Sequence, residues 1–184
     1  MKTEKEKMIS GEFYEAWETT LVVDRQKAKE KMAAINSEKN EALRNQLVKE
    51  AFGSSKGAVH VEANVAFDYG YNIHVGENFY ANFNCTFLDG GPITIGDNCM
   101  LAPNVQLYTA AHPLNPQERN DGIEFTKAIT IGDNVWIGGG AIIVPGVTLG
   151  NNVVVAAGAV VTKSFPDNVV LGGNPARVIK EIEK

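Results

Sequence analysis

The sequence predicts a mainly β fold, a parallel β-helix preceded by a small helical subdomain. From Val59 onward the chain turns to Val, Ile, Asn and Gly with few charges, and from Val75 aliphatic residues recur every sixth position. Residues 1–55, by contrast, are charged, poor in glycine and spaced for helices.

In the helical region, "DRQKAKEKMAAINS" and "SEKNEALRNQLVKEAFG" carry the apolar spacing of amphipathic helices. Leu43, Leu47 and Phe52 are expected to line one face, with Gly53 as the stop. Ser37, followed by Asn40 and Glu41, is a near miss for a capping box.

The repeat is clearest in "ITIGDNVWIGGGAIIVPGVTLGNNVVVAAGAVV", Ile129 to Val161. Counting by six from Ile131 gives Ile137, Ile143, Leu149, Val155 and Val161; four residues after the first five stand Val135, Ala141, Val147, Val153 and Ala159. The next such slot is Phe165, where the pattern ends. Ile95, Leu101 and Leu107 keep the same phase, with Cys99 and Val105 in the small-residue slot. Val75, Ala81 and Phe87 form an earlier run, displaced by two residues through "DGGP". A hexad cannot bury its aliphatic residue alone and gains a core by stacking on its neighbours, three hexads to a coil. The corners "GDN", "GNN" and "GGG" suit left-handed backbone.

Three segments are therefore expected: a helical subdomain over 1–55, a β-helix over 56–175 with a loop extruded at 109–128, and a short C-terminal helix over 176–184, after the turn in "NPARVIKEIEK". Flat outer faces invite oligomerisation.

Composition narrows the function. A 184-residue chain with 44% hydrophobic and 21% charged residues suits one soluble domain. A net charge of -5 argues against a nucleic-acid surface but leaves room for a local basic pocket. The start "MKTEKEKMIS" lacks an apolar segment, and no run reaches the ~18 apolar residues of a membrane span, so a cytoplasmic protein is expected. Cys85 and Cys99 fit no zinc spacing and occupy repeat slots.

The long break in the hexad count, "TAAHPLNPQERNDGIEFTKA", holds His112, while His60 and His74 lie in strand-like segments. Loops on a rigid scaffold are favoured places for chemistry. Glu124, in the same loop, is placed to orient an imidazole acting as general base.

"DYGYNIHVGENFYANFNCTFLD", "IGDNCMLAPNVQLYTAAHPLNPQERN", "ITIGDNVWIGGGAIIVPGVTLG" and "GGNPARVIK" resemble the maltose and galactoside O-acetyltransferases, a branch of the hexapeptide-repeat acyltransferases. The likeness covers nearly the whole chain, including "SGEFYEAW…DR". It implies left-handed coils, acetyl transfer from acetyl-CoA to a hydroxyl of maltose, glucose or a related sugar, and a homotrimer with active sites between subunits. His112 matches the family's catalytic histidine and Glu124 its acidic support; Asp68 and Asn82 match acceptor-side positions, and Glu15 stands near where relatives often carry a sugar-binding aspartate. Gly139, Ala157, Thr162, Lys163, Arg177 and Lys180 match cofactor contacts, and Trp136 a tryptophan beside that tunnel; no metal is implied. Where relatives often carry proline, this chain has Ala128.

Related coils also serve acetyltransferases with antibiotic, serine or amino-sugar acceptors. A metal-dependent carbonic anhydrase on the same coils would need three histidine ligands, and a non-catalytic scaffold would need none of the loop chemistry.

Overall fold

The charged N-terminal region forms helices α1 (Glu4–Ser10), α2 (Thr19–Ser37) and α3 (Glu41–Ala51), with a two-residue strand β1 (Tyr14–Glu15) between the first two. The computed structural model describes residues 2–183. Thr3 and Glu6 form a reciprocal capping box at α1. At α3 the cap is Asn40, whose side chain accepts from Leu43 N at 3.1 Å, because the expected Ser37 is spent as the last residue of α2. The buried face of α3 is also turned from the expected one: Arg44, Val48 and Ala51 are buried, while Leu43 is 56% exposed. Arg44 tolerates burial because its guanidinium donates to the carbonyls of Val61 and Glu38 and pairs with Glu62 at 3.3 Å. Beyond the helix, Phe52 meets Phe67 and Phe87 edge-on at 6.0 and 6.2 Å, closing the end of the solenoid axis. Gly53 follows because a Cβ there would lie 2.1 Å from the Tyr71 carbonyl oxygen.

Each hexad then supplies a strand of two or three residues and a corner. The first coil holds β2 (Ser54–Ser55), β3 (Val59–Val61) and β4 (Ala66–Phe67). The second holds β5 (Ile73–Val75), β6 (Phe79–Ala81) and β7 (Thr86–Leu88), and the third β8 (Ile93–Ile95), β9 (Met100–Leu101) and β10 (Gln106–Tyr108). An excursion with β11 (Ala110–Ala111), α4 (Pro116–Asn120) and β12 (Ile123–Thr126) follows. The fourth coil is β13 (Ile129–Ile131), β14 (Trp136–Ile137) and β15 (Ile142–Ile143); the fifth is β16 (Thr148–Leu149), β17 (Val154–Val155) and β18 (Val160–Val161). Parallel pairing stacks these into a first sheet (β2, β5, β8, β13, β16), a second (β3, β6, β9, β14, β17) and a third (β4, β7, β10, β15, β18).

The hexad count is borne out in the core. Ile131, Ile137, Ile143, Leu149, Val155 and Val161 are each at most 1% exposed, as are their small partners Val135, Ala141, Val147, Val153 and Ala159. Each fully buried aliphatic chain of this size contributes about 1.5–3 kcal/mol. Between the first and second sheets the corners stack as ladders: Asn78, Asn98, Asn134, Asn152 and Asn168 all have positive φ, and each side-chain amide donates to the next in line. The glycine of each corner has a separate duty; at Gly132 a Cβ would come within 2.5 Å of the Asn151 Oδ1 on the next coil.

Three features depart from the repeat. The regular coils step by 18 residues, as in Ile131↔Leu149, whereas the early ones step by 20, as in Val61↔Ala81 and Phe67↔Phe87. The extra residues fall between the third and first sheets, at "DYGYN" and "DGGP", the same corner from which the excursion leaves. The stack also continues past Val161: Phe165 bridges to Leu149 and Leu171 pairs with Val155.

The expected C-terminal helix over 176–184 is instead a strand. β20 (Ala176–Glu181) folds back antiparallel on β19 (Val169–Gly173), extending the second sheet. Val178 and Ile179 favour extended backbone, and the open edge of β19 supplies hydrogen bonds that an exposed terminal helix would not gain.

Candidate active site

The return strand of the excursion, β12, lies between β11 and β1, antiparallel to both. Its register sets Glu124 opposite Tyr14, whose phenol donates to Glu124 Oε2 at 2.6 Å. Thr126 Oγ1 donates to the Met8 carbonyl at 2.6 Å, tying the same strand to α1. Tyr14 is 3% exposed, and burial together with the Glu124 charge holds its phenol well above the ordinary tyrosine pKa. It remains a donor throughout the neutral range.

A cavity of about 280 Å³ opens here. Tyr14, Ala16 and Trp17 wall it from the N-terminal region and Arg25 from α2. Asp68 and Tyr69 come from the first irregular corner, Leu88 and Gly90 flank the second, and Ala110, His112 and Glu124 belong to the excursion. Thus His112, Glu124 and Asp68, three of the residues expected from sequence, converge. The expected His112–Glu124 hydrogen bond is not present; the partner of Glu124 is Tyr14.

Two polar devices fix the walls. Arg25 donates to the Tyr69 hydroxyl at 2.7 Å and the Ala16 carbonyl at 2.8 Å, with its guanidinium 5.7 Å from the Trp17 ring and 5.8 Å from that of Tyr69. Asp89, fully buried, accepts from the backbone N–H groups of Asp68 and Tyr69, both at 2.9 Å, and of Gly70 at 2.7 Å. Desolvation nevertheless pushes the Asp89 carboxyl up to about 6. Burial likewise raises Asp68, opposed by the charge of Arg25.

The remaining expected residues lie elsewhere. Glu15 is exposed on β1 and pairs with Ile123 rather than lining the cavity. Asn82 stands at the corner between the second and third sheets, its Oδ1 accepting from Phe83 N at 2.7 Å. Gly139 and Ala157 stand at that corner on the fourth and fifth coils, where Gly158 N donates to the Gly139 carbonyl at 2.9 Å. Thr162 and Lys163 follow β18 at the His112 corner, Trp136 projects from the second sheet, and Arg177 and Lys180 are exposed on β20. Within one chain the third sheet separates the His112 corner from the one that holds Asn82, Gly139 and Ala157.

Residues 128–163 match the family model described as bacterial transferase hexapeptide (six repeats), and residues 7–57 the maltose acetyltransferase hexapeptide capping motif. A Dictyostelium discoideum protein described as a candidate acetyltransferase is 59% identical over 98% of this chain and 95% of its own. The chain belongs to the maltose and galactoside O-acetyltransferase family. A crystal structure of a maltose O-acetyltransferase from Clostridium difficile 630 superposes with a TM-score of 0.96 at 55% identity, covering 100% of this chain and 99% of that one. A galactoside acetyltransferase in complex with coenzyme A gives 0.94 at 43% identity, covering 100% and 92%.

The protein is thus an acetyltransferase, and its capping motif has a direct part in the cavity. Tyr14, Ala16, Trp17 and Arg25 all lie inside the matched residues 7–57. Sequence reasoning quoted that segment without singling out these side chains, and it also passed over Tyr69 and Asp89. Among the described residues no three His, Cys, Asp or Glu side chains gather as a metal site requires. His60, on the second sheet, sits between Glu41 and Glu62 at 3.0 and 3.1 Å, whereas His74 bonds Ser54 within the first sheet.

Proposed function

We propose that this acetyltransferase moves the acetyl group of acetyl-CoA to a hydroxyl of maltose, glucose or a related sugar, with His112 as general base. The observation that carries the reading is the meeting of His112, Glu124 and Asp68 in one cavity walled by Tyr14, Trp17 and Tyr69. Aromatic faces suit the C–H side of a pyranose, and carboxylates suit its hydroxyls.

The reaction follows from the groups at hand. Neutral His112 takes the hydroxyl proton as the sugar oxygen attacks the thioester carbonyl, and returns it to the departing thiolate when the tetrahedral intermediate collapses. Glu124, held by Tyr14, sets the negative field beside the imidazolium. Because Asn82 Oδ1 is engaged by Phe83 N, its Nδ2 is free to donate to the oxyanion. Cys85 and Cys99 are fully buried, so neither serves as nucleophile.

Coenzyme A is the expected co-substrate, supported by the coenzyme A complex of the galactoside acetyltransferase. Gly139 and Ala157 leave a smooth corner for the pantetheine arm beside Trp136, with Thr162 as a further contact and Lys163, Arg177 and Lys180 as cations for its phosphates. His112 lies at one corner of the solenoid and Asn82, Gly139 and Ala157 at another. A complete site therefore calls for the first corner of one copy to face the second corner of the next, and a cyclic trimer closes that arrangement.

The test is a steady-state screen of glucose, maltose, galactosides and amino sugars with acetyl-CoA, following thiol release. His112→Ala is expected to lower turnover about 10²–10⁴-fold while acetyl-CoA still binds. Normal turnover in that variant would remove His112 as the base, and acetylation of none of the sugars would remove the acceptor.

A further inference from the structure

We propose that Ser54 and His74 form a nucleophilic centre outside the acceptor cavity, at which Ser54 takes the acyl group of a small neutral ester. Ser54 Oγ lies 2.9 Å from His74 Nδ1. Backbone register sets the pair, since β2 runs beside β5 with these two residues opposite each other. With its proton on Nε2, the imidazole presents the Nδ1 lone pair to the serine hydroxyl, which is how a nucleophile stands beside its base.

The ring is held from two sides. A Cβ on Gly53 would come within 2.7 Å of His74 Cε1, so the imidazole packs on bare backbone there, and Thr94 stands in register on the other side. Further along the first sheet the outward positions are Thr94, Thr130 and Thr148. Only the first two coils replace threonine by a base and its partner. Ser54 is exposed and His74 half-buried, so the hydroxyl can be reached while the ring stays fixed.

A groove of about 320 Å³ opens over the pair, lined also by Lys56, Asp133 and the corner glycines Gly76 and Gly96. That volume is in the range of small-molecule pockets, which begin at ~300 Å³. None of its residues lines the acceptor cavity. Lys56, paired with Asp97 at 3.6 Å, is the cation that can turn to a developing oxyanion. Asp97 and Asp133 set a negative rim against anionic donors, coenzyme A thioesters among them, and so select a neutral ester.

In the step itself Ser54 Oγ attacks the ester carbonyl while His74 Nδ1 takes the hydroxyl proton. The tetrahedral intermediate collapses with cleavage of the bond from carbonyl carbon to alkoxy oxygen, and that oxygen leaves with the proton from His74. The products are acyl-Ser54 and an alcohol.

The probe is p-nitrophenyl acetate, applied to His112→Ala protein so that the proposed base of the acceptor cavity takes no part. A burst of one p-nitrophenol per chain is expected, with an acetyl group on Ser54 by peptide mass spectrometry that neutral hydroxylamine removes, as it does from an ester. Adding Ser54→Ala should abolish the burst, and adding His74→Gln should slow it about 10²-fold or more, with melting curves reporting an intact fold. Acetylation of Ser54 at an undiminished rate in the His74→Gln protein would leave an ordinary exposed hydroxyl and overturn the pair. The absence of a burst, or a hydroxylamine-resistant label confined to lysines such as Lys56, would overturn the centre. Labelling by acetyl-CoA as fast as by the neutral ester would overturn the donor class. Each of these results leaves sugar acetylation standing, because the two sites share no residue.

Discussion

Tyr14 and Glu124, 110 residues apart in sequence, share a 2.6 Å hydrogen bond. The bond joins the capping region to the excursion, and makes the environment of the proposed base, His112, a product of both. It is set by backbone register, since β1 pairs with β12 with these two residues opposite each other. A loop standing alone on the solenoid would leave Glu124 free to swing.

Tyr14→Phe should therefore lower kcat about tenfold, in keeping with ~1–3 kcal/mol for a charged group that loses a buried partner. The KM for acetyl-CoA should stay where it is, because none of the proposed cofactor-side residues lines this cavity. Steady-state kinetics with sugar and acetyl-CoA varied separately give the answer; an unchanged kcat would mean that Glu124 needs no positioning by Tyr14.

Asp89 gives a pH signature. Its carboxyl titrates near 6 in the folded protein, above the ordinary value of 3.8. The folded state thus holds this proton more tightly than the unfolded chain does. The associated stability is full below about pH 3.8 and is lost as pH rises through about 6. Asp89→Asn cannot titrate, and should show a Tm that gains on the unaltered protein between pH 4 and pH 7. The same variant faces Gly70 N with an amide donor, so the sugar KM should rise as the Asp68 corner loosens. Parallel melting curves across pH that never converge or cross would place the titration elsewhere.

Much of the solenoid was legible because each coil repeats the same packing problem. Ile131 to Val161 could be placed by counting, and the asparagine corners by their tolerance of positive φ. The first coil escaped the count because the two extra residues at "DYGYN" shift Phe67 and Val75 out of phase. The C-terminal strand escaped it because the edge of β19, a tertiary feature, decides its conformation. His112 and Glu124 stood out as the chemistry of the one long interruption. Tyr14, Arg25 and Tyr69 did not, since no periodicity encodes the pairing of β1 with β12 or the lean of α2 on the irregular corner.

The two thiols should be silent in the folded enzyme. Cys85 and Cys99 are both fully buried, and desolvation pushes each thiol up to about 11. Their sulfur atoms are turned to the carbonyls of Ala102 and Gly132, at 3.5 and 3.1 Å. A disulfide-exchange reagent at pH 8 should find neither thiol before denaturant is added and both after. Rapid reaction of one thiol in the native protein, with loss of turnover, would reopen a covalent mechanism.

The outer faces of the solenoid differ in a way that predicts the assembly. On the second sheet Tyr80, Met100, Trp136 and Val154 are in register, and Met100 and Trp136 are 50% and 51% exposed. On the first sheet the corresponding outward residues are His74, Thr94, Thr130 and Thr148. An apolar ladder of this length gains by being covered, whereas the threonine ladder is already suited to water. Met100→Lys combined with Trp136→Glu should therefore yield monomers in sedimentation velocity, and Thr94→Lys combined with Thr130→Glu should leave the proposed trimer intact. If the proposed arrangement holds, the monomer should also lose acetyl transfer, because His112 and Asn82 occupy different corners of one chain and the proposed trimer is what brings them together. A trimer that persists with full activity in the first variant would move the interface to another face and dissolve the link between assembly and catalysis.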